Sequence, residues 1–243
     1  MLRPFLSAIS FLTIIPVPGS IHRDRRALQA APAYYPIPGF LIGLAAVLVA
    51  SLTVPAPLKI VLLTALPFVL SRAMHLDGLA DTCDGLLGGR DPEERRRIMH
   101  DPGIGAFGAL AVALDVVART LLYGAVMNSA PVALLAAPVL GRWSLTFALF
   151  LSPYSPRGKL KEAVTSPGWS RMLIATGWIV AFMVATRRAS DLVALATLAV
   201  AGLTAIWVSL VKRKTGFISG DTLGALNEMA EILVLVFFLD WWS

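Results

Sequence analysis

Residues 75 to 85 read His75-Leu76-Asp77-Gly78-Leu79-Ala80-Asp81-Thr82-Cys83-Asp84-Gly85. Asp77, Asp81 and Asp84 stand at i, i+4 and i+7. On an α-helix these positions fall within an arc of roughly 60°, so the three carboxylates line one face. Like charges on one face repel. Solvent, protons or a cation can relieve that repulsion. All-oxygen ligation suits Mg²⁺ or Mn²⁺ rather than a softer metal, and such ions neutralise phosphate oxygens in phosphoryl transfer. The bland alternative is an acidic helix end in solvent. Gly78 and Gly85 weaken a regular helix by roughly 1 kcal/mol each, and they let backbone approach a ligand closely.

A second acidic set follows near the C-terminus. Asp221 and Glu228 are seven apart and Glu231 is three further on, so all three share one broad helix face. Glu228 and Glu231 fall inside an apolar candidate span. Ionisable residues there usually face a cavity and serve function. The alternative is neutralisation by an arginine from another span, Arg142 or Arg119. Asp115 and Arg119 are four apart and read as a structural pair.

Between these sets lies Arg95-Arg96-Arg97-Ile98-Met99-His100-Asp101-Pro102. Asp91 is a helix N-cap, with Pro92 at the first helical position and Glu94 at the capping-box place. The helix they open ends before Pro102. Three successive arginines cannot share one direction. Arg97 is the candidate ligand contact, because it can sit above Asp101; anchoring to anionic lipid is the alternative. His75 is half a turn off the carboxylate face and is a candidate substrate contact. His22 and His100 have no distinctive spacing. Cys83, flanked by acids that should raise its thiol pKa, reads as a bystander. A single cysteine excludes an intrachain disulfide framework and any multi-cysteine metal site. No P-loop or Ser-His-Asp arrangement is present.

The elements that position these residues belong in a bilayer. Of the 243 residues 57% are hydrophobic and only 15% charged, and mean hydropathy is +0.74. Soluble domains carry roughly 25% charge. Residues 27–58, 120–141 and 192–211 contain no Lys, Arg, Asp or Glu. Uncharged apolar runs of about 18 or more are candidate spanning helices, and lipid offers no partners to free backbone groups. The expected fold is all-α and polytopic, one membrane domain over 1–243 with about seven spans: 36–54, 58–76, 104–128, 131–151, 171–187, 191–211 and 222–241. Residues 1–18 fit an interfacial helix better than a cleaved leader. Trp241 and Trp242 end the last span, as an interfacial belt would.

The net charge of +6 is a topology signal before it is a hint of anionic ligands; no nucleic-acid partner is expected. With the N-terminus inside, 15 of the 21 basic residues fall on inside segments, Arg23, Arg157, Lys159 and Lys161 among them. Only Lys59, Arg187 and Arg188 fall outside, and Arg72, Arg119 and Arg142 lie within spans. The loops 19–33, 77–103, 152–170 and 212–220 are therefore expected on the cytoplasmic side of the inner membrane, with active-site segments at 77–103 and 212–231.

At these motifs the sequence resembles the cobalamin synthase (adenosylcobinamide-GDP ribazoletransferase) family. The resemblance rests on H-L-D-G-L-A-D-T-C-D-G at 75–85, I-M-x-D with G-x-x-G at 98–108, and G-D-T-L-G-A-x-x-E-x-x-E at 220–231. F-L-T-I-I-P-V-P at 11–18 and Tyr35-Pro36-Ile37-Pro38-Gly39 extend it over about residues 5–240. It implies a late step of coenzyme B12 assembly. Adenosylcobinamide-GDP and α-ribazole, or its 5′-phosphate, would be joined with loss of GMP, using Mg²⁺ at a membrane. In that chemistry Asp77, Asp81 and Asp84 would hold Mg²⁺ against the pyrophosphate, with Asp101 as a further ligand. Asp221, Glu228 and Glu231 would supply a second metal or the base, so that Asp81, Asp221 and Glu228 carry the catalysis. Arg97 and Lys214 would stabilise the leaving GMP, and His75 and Thr222 would complete the contacts. Assembly into a homo-oligomer stays open.

Two other readings compete. CDP-alcohol phosphotransferases also hold metals with spaced Asp-Gly motifs, but their pattern is missing here. A cation- or proton-coupled transporter could use Asp115, Glu228 and Glu231 as a relay. The acidic residues gather mostly at one face, which favours surface enzymology.

Overall fold

The computed structural model describes residues 2–22, 24–152 and 167–239. Arg23, Arg157, Lys159, Lys161, Trp241 and Trp242 lie outside them. The described residues form α1 (Leu2–Leu12), α2 (Gly19–His22), α3 (Arg25–Ala30), α4 (Pro36–Ala50), α5 (Ala56–Leu70) and α6 (Met74–Gly88). There follow α7 (Pro92–Met99), α8 (Ala106–Ser129), α9 (Pro131–Leu151), α10 (Trp169–Ala185), α11 (Ser190–Thr215) and α12 (Gly220–Phe237). No strand occurs among them.

Local chemistry sets the boundaries. Prolines open α4, α5, α7 and α9, where a missing N–H costs nothing. Gly216, at φ +90°, closes α11 in the left-handed region. Asp91 caps α7, accepting from the Glu93 and Glu94 amides at 2.9 Å each, as its sequence predicts.

α9 is the centre of the bundle. Its buried residues run nearly end to end and many are small, including Ala133, Ala136, Ala137, Gly141, Ser144 and Ala148. Small side chains let α4, α11 and α12 come close to it. Leu63 of α5, Val126 of α8, Ala175 of α10, Val193 and Val200 of α11 and Val234 of α12 complete this core. The outer sides of α8 and α11 expose Leu110, Leu114, Leu121, Leu195, Leu198 and Ile206. An apolar interior behind an apolar exterior is a lipid-facing arrangement. The chain is an all-α, multi-pass membrane protein.

Helices stand at all seven expected places, but length and composition alone qualify three of them, α8, α9 and α11, as spans. Two bent pairs raise the number to at most five. α10 is apolar but has 17 residues, and α12 carries three carboxylates. The stretch 19–33, expected as a loop, holds α2, α3 and a 3₁₀ turn. α1 has 11 residues, about 17 Å at 1.5 Å each, too short for a hydrocarbon layer of about 30 Å. It docks Ala8 and Leu12 against Tyr35, Leu145 and Leu149.

The expected span 58–76 is corrected most sharply. It breaks after Leu70, and α6 leaves α5 at 84°. Arg72 (φ 57°) and Ala73 (φ 54°) make the turn, both left-handed without being glycine. The Ala73 amide donates to the Phe68 carbonyl at 2.6 Å and locks the bend. α6 is thereby turned across the end of the bundle. Left-handed backbone costs a non-glycine residue about 1 kcal/mol or more. Ala73→Gly is therefore expected to keep or raise the thermal midpoint in detergent, and Ala73→Val to lower it. Equal midpoints would contradict the strained turn.

Candidate active site

α6 and α12 cross at two glycines. A Cβ on Gly78 would stand 2.7 Å from the Asp221 carbonyl oxygen, and one on Gly224 3.0 Å from that of His75. Backbone touches backbone there, which no larger residue permits. The crossing lays Asp77 and Asp81 of α6 alongside Asp221 in the first turn of α12. Ser219 and Thr222 form a capping box that fixes this turn.

The three carboxylates act on one another. Burial first, then the charges of Asp77, Asp221 and Asp84, push the Asp81 carboxyl up to about 6. Burial likewise raises Asp221, and Asp77 adds to it. His100, at the C-cap of α7, opposes both shifts. It belongs to this cluster although its spacing gave no signal. Burial, then Asp84, raises the Cys83 thiol, in the direction expected.

Asp84 has a different occupation. Its Oδ2 accepts from the Gly105 amide at 2.7 Å and its Oδ1 from the Gly108 amide at 2.8 Å. It satisfies two donors at the start of α8 and ties that helix to α6. Asp101 turns its Oδ1 onto the Gly103 amide at 2.9 Å in an exposed turn. Arg97 does not sit above Asp101. Its side chain is 80% exposed, with Glu94 at 3.9 Å. Arg95 and Arg96 instead donate to the carbonyls of Lys214 (3.2 Å) and Thr215 (2.7 Å), and Arg96 lies over the Phe217 ring. Cations at free carbonyls suit the end of α11. The Lys214 side chain remains exposed.

Below the crossing lies a buried ion cluster. Arg119 of α8 is fully buried. Its Nε donates to Asp115 Oδ2 at 2.9 Å, its Nη1 to Glu231 Oε2 at 2.7 Å, and its Nη2 to Glu228 Oε2 in a short bond. Arg142 of α9 donates to Glu231 Oε1 in another short bond. The Asn227 amide reaches Glu231 Oε1 at 3.0 Å and Glu228 Oε1 at 3.3 Å. The Asp115–Arg119 pair is the one expected from their spacing. Glu228 and Glu231, expected at a second metal, have both arginines as partners, the other option their position in a span left open.

Two further candidates lie inside the bundle. His75 faces inward, 2% exposed, with Nδ1 4.0 Å from Glu228 Oε1 and no hydrogen bond from either ring nitrogen. Thr222 is 1% exposed, and its hydroxyl accepts from the Ser219 amide at 2.8 Å and donates to the Ser219 carbonyl at 3.0 Å.

The family described as CobS, Cobalamin-5-phosphate synthase, matches residues 4–239. The chain belongs to this family. Its CobS relatives include proteins named adenosylcobinamide-GDP ribazoletransferase. That of Syntrophobacter fumaroxidans is 37% identical over 239 residues, covering 95% of this chain and 96% of the relative. That of Caldanaerobacter subterraneus subsp. tengcongensis is 32% identical over 248 residues, covering 98% of each. That of Ralstonia pickettii is 34% identical over 247 residues, covering 98% of this chain and 95% of the relative. No solved structure matches the chain. The carboxylates at the crossing lie on the motifs that carried the family resemblance.

Asp84→Ala strands two amides at the start of α8. It is expected to lower stability by about 1–3 kcal/mol, read as a fall in thermal midpoint in detergent. An unchanged midpoint would remove Asp84 from this structural role.

Proposed function

We propose that this chain is an adenosylcobinamide-GDP ribazoletransferase. It joins adenosylcobinamide-GDP to α-ribazole, or to α-ribazole 5′-phosphate, giving adenosylcobalamin or its 5′-phosphate and GMP. The observation that carries this reading is the full-length match to relatives of that name, with the acidic motifs brought together at one helix crossing. The site lies at the cytoplasmic face of the inner membrane, where the positive-inside rule puts the basic loops.

Mg²⁺ fits the donors at the crossing and not those below it. Asp77, Asp81 and Asp221 offer hard carboxylate oxygens whose mutual repulsion a cation relieves. Glu228 and Glu231 already neutralise Arg119 and Arg142. Among the described residues no three His, Cys, Asp or Glu side chains form a ready metal cage. Mg²⁺ requires none, since it keeps several waters and binds through one or two carboxylates and substrate phosphates. When bound, the ion neutralises developing charge on the pyrophosphate.

The chain's own residues divide the remaining work. The ribose 3′-hydroxyl of α-ribazole attacks the phosphate on the cobinamide arm. A P–O bond forms there, and the bond from that phosphorus to the GMP oxygen breaks. Asp221, through an oxygen the cation leaves free, would take the hydroxyl proton. Asp77, Asp81 and Asp221 would hold the cation. Arg97 and Lys214, both exposed at this end, meet the departing GMP. A transmembrane relay is disfavoured, because Asp115, Glu228 and Glu231 are bonded to arginine inside the bundle.

Purified protein in detergent, given adenosylcobinamide-GDP, α-ribazole and Mg²⁺, is expected to release GMP and a corrinoid product in equal amounts. Failure to release either product would overturn the reading. Asp81→Ala is expected to cut the rate roughly 10²-fold or more, and a chelator to stop it. Undiminished turnover by that variant would contradict the cation assignment.

A further inference from the structure

We infer that Arg119 is a positioning residue for this reaction: it sets the depth and rotation of α12 and so holds Asp221 beside Asp77 and Asp81. The inference rests on the reaction proposed above. Arg119 touches no substrate, being fully buried among side chains of α5, α8 and α12.

Three connections close a triangle. α6 is tied to α8 by Asp84, which accepts from the Gly105 and Gly108 amides. α8 is tied to α12 by Arg119, whose three nitrogens engage Asp115, Glu228 and Glu231. α12 returns to α6 through the backbone contact of Gly224 and Gly78. Arg142 adds a brace from α9 onto the second oxygen of Glu231.

Glu228 and Glu231 lie seven and ten residues beyond Asp221 on one face of α12. A slip of one residue along that helix turns every side chain by about 100° and moves it about 1.5 Å. Asp221 would then leave Asp81. The glycine contact alone resists approach but not sliding, since it has no side chains to interlock. A guanidinium fork has fixed directions, and it reads the register of α12 at two residues. Lysine keeps the charge but lacks the fork, and it cannot meet three carboxylates at once.

The test uses full-length protein in detergent with Cys83→Ser, Leu87→Cys and Gly220→Cys, spin-labelled at the ends of α6 and α12. The label-to-label distance is measured with Arg119 and with Arg119→Lys, beside steady-state kinetics on the unlabelled proteins. The expected result is one narrow distance with Arg119 and a broadened or shifted one with lysine. kcat should fall at least 100-fold while KM for both substrates stays within threefold. An unchanged distance, or a changed distance with unchanged kcat, overturns the inference. A distance change without ribazole transfer by the Arg119 protein would mean that the lock holds helix register and the proposed reaction is wrong. Where Arg119→Lys does not fold, Arg119→Met with Asp115→Asn and Glu228→Gln removes the stranded charges. It must give the same distance change and the same loss of kcat, or the inference falls.

Discussion

Three carboxylates and two guanidinium groups share a buried space between α8, α9 and α12. Burying an ion costs several kcal/mol even after relaxation, and only close, well-directed partners offset that cost. The constraint is severe because it is geometric. Arg119 must meet Glu228 and Glu231 together, so α12 has one acceptable register against α8. The α6–α12 crossing follows from that register, while a local capping box fixes the first turn of α12. Removing one partner would leave an uncompensated charge among apolar helices.

This arrangement separates two acidic sets that look alike in sequence. Asp77, Asp81 and Asp221 lie at the end of the bundle, where charged loops gather. Their mutual repulsion persists and is available to a cation. Glu228 and Glu231 lie deeper, and their charge is already answered. The outer set has the electrostatic character of a site, and the inner set that of a frame which holds it.

The sequence made the helices legible, because uncharged apolar runs of spanning length have few other structures open to them. It also made the Asp115–Arg119 pair legible, since partners four apart meet on any helix. The bend at Arg72 and Ala73 was not legible. Neither residue favours a left-handed backbone, and the turn is set by what α6 must reach. The i, i+4, i+7 spacing put Asp84 on a face with Asp77 and Asp81, yet its partners lie 21 and 24 residues away. Glu228 and Glu231 posed the same problem over 109 and 89 residues. Local spacing offered metal or arginine and could not choose between them. Thr222 was legible in principle, since Ser219 three residues earlier completes a capping box.

The central claim is that α6 and α12 bring Asp81 and Asp221 to one cation. A double-mutant cycle with Asp81→Asn and Asp221→Asn tests it most directly, read as the Mg²⁺ concentration giving half-maximal GMP release. Residues that share a ligand do not add. Each single change is expected to raise this concentration, and the double variant to be little worse than the worse single one. Full additivity of the two effects, as for independent sites, would contradict it.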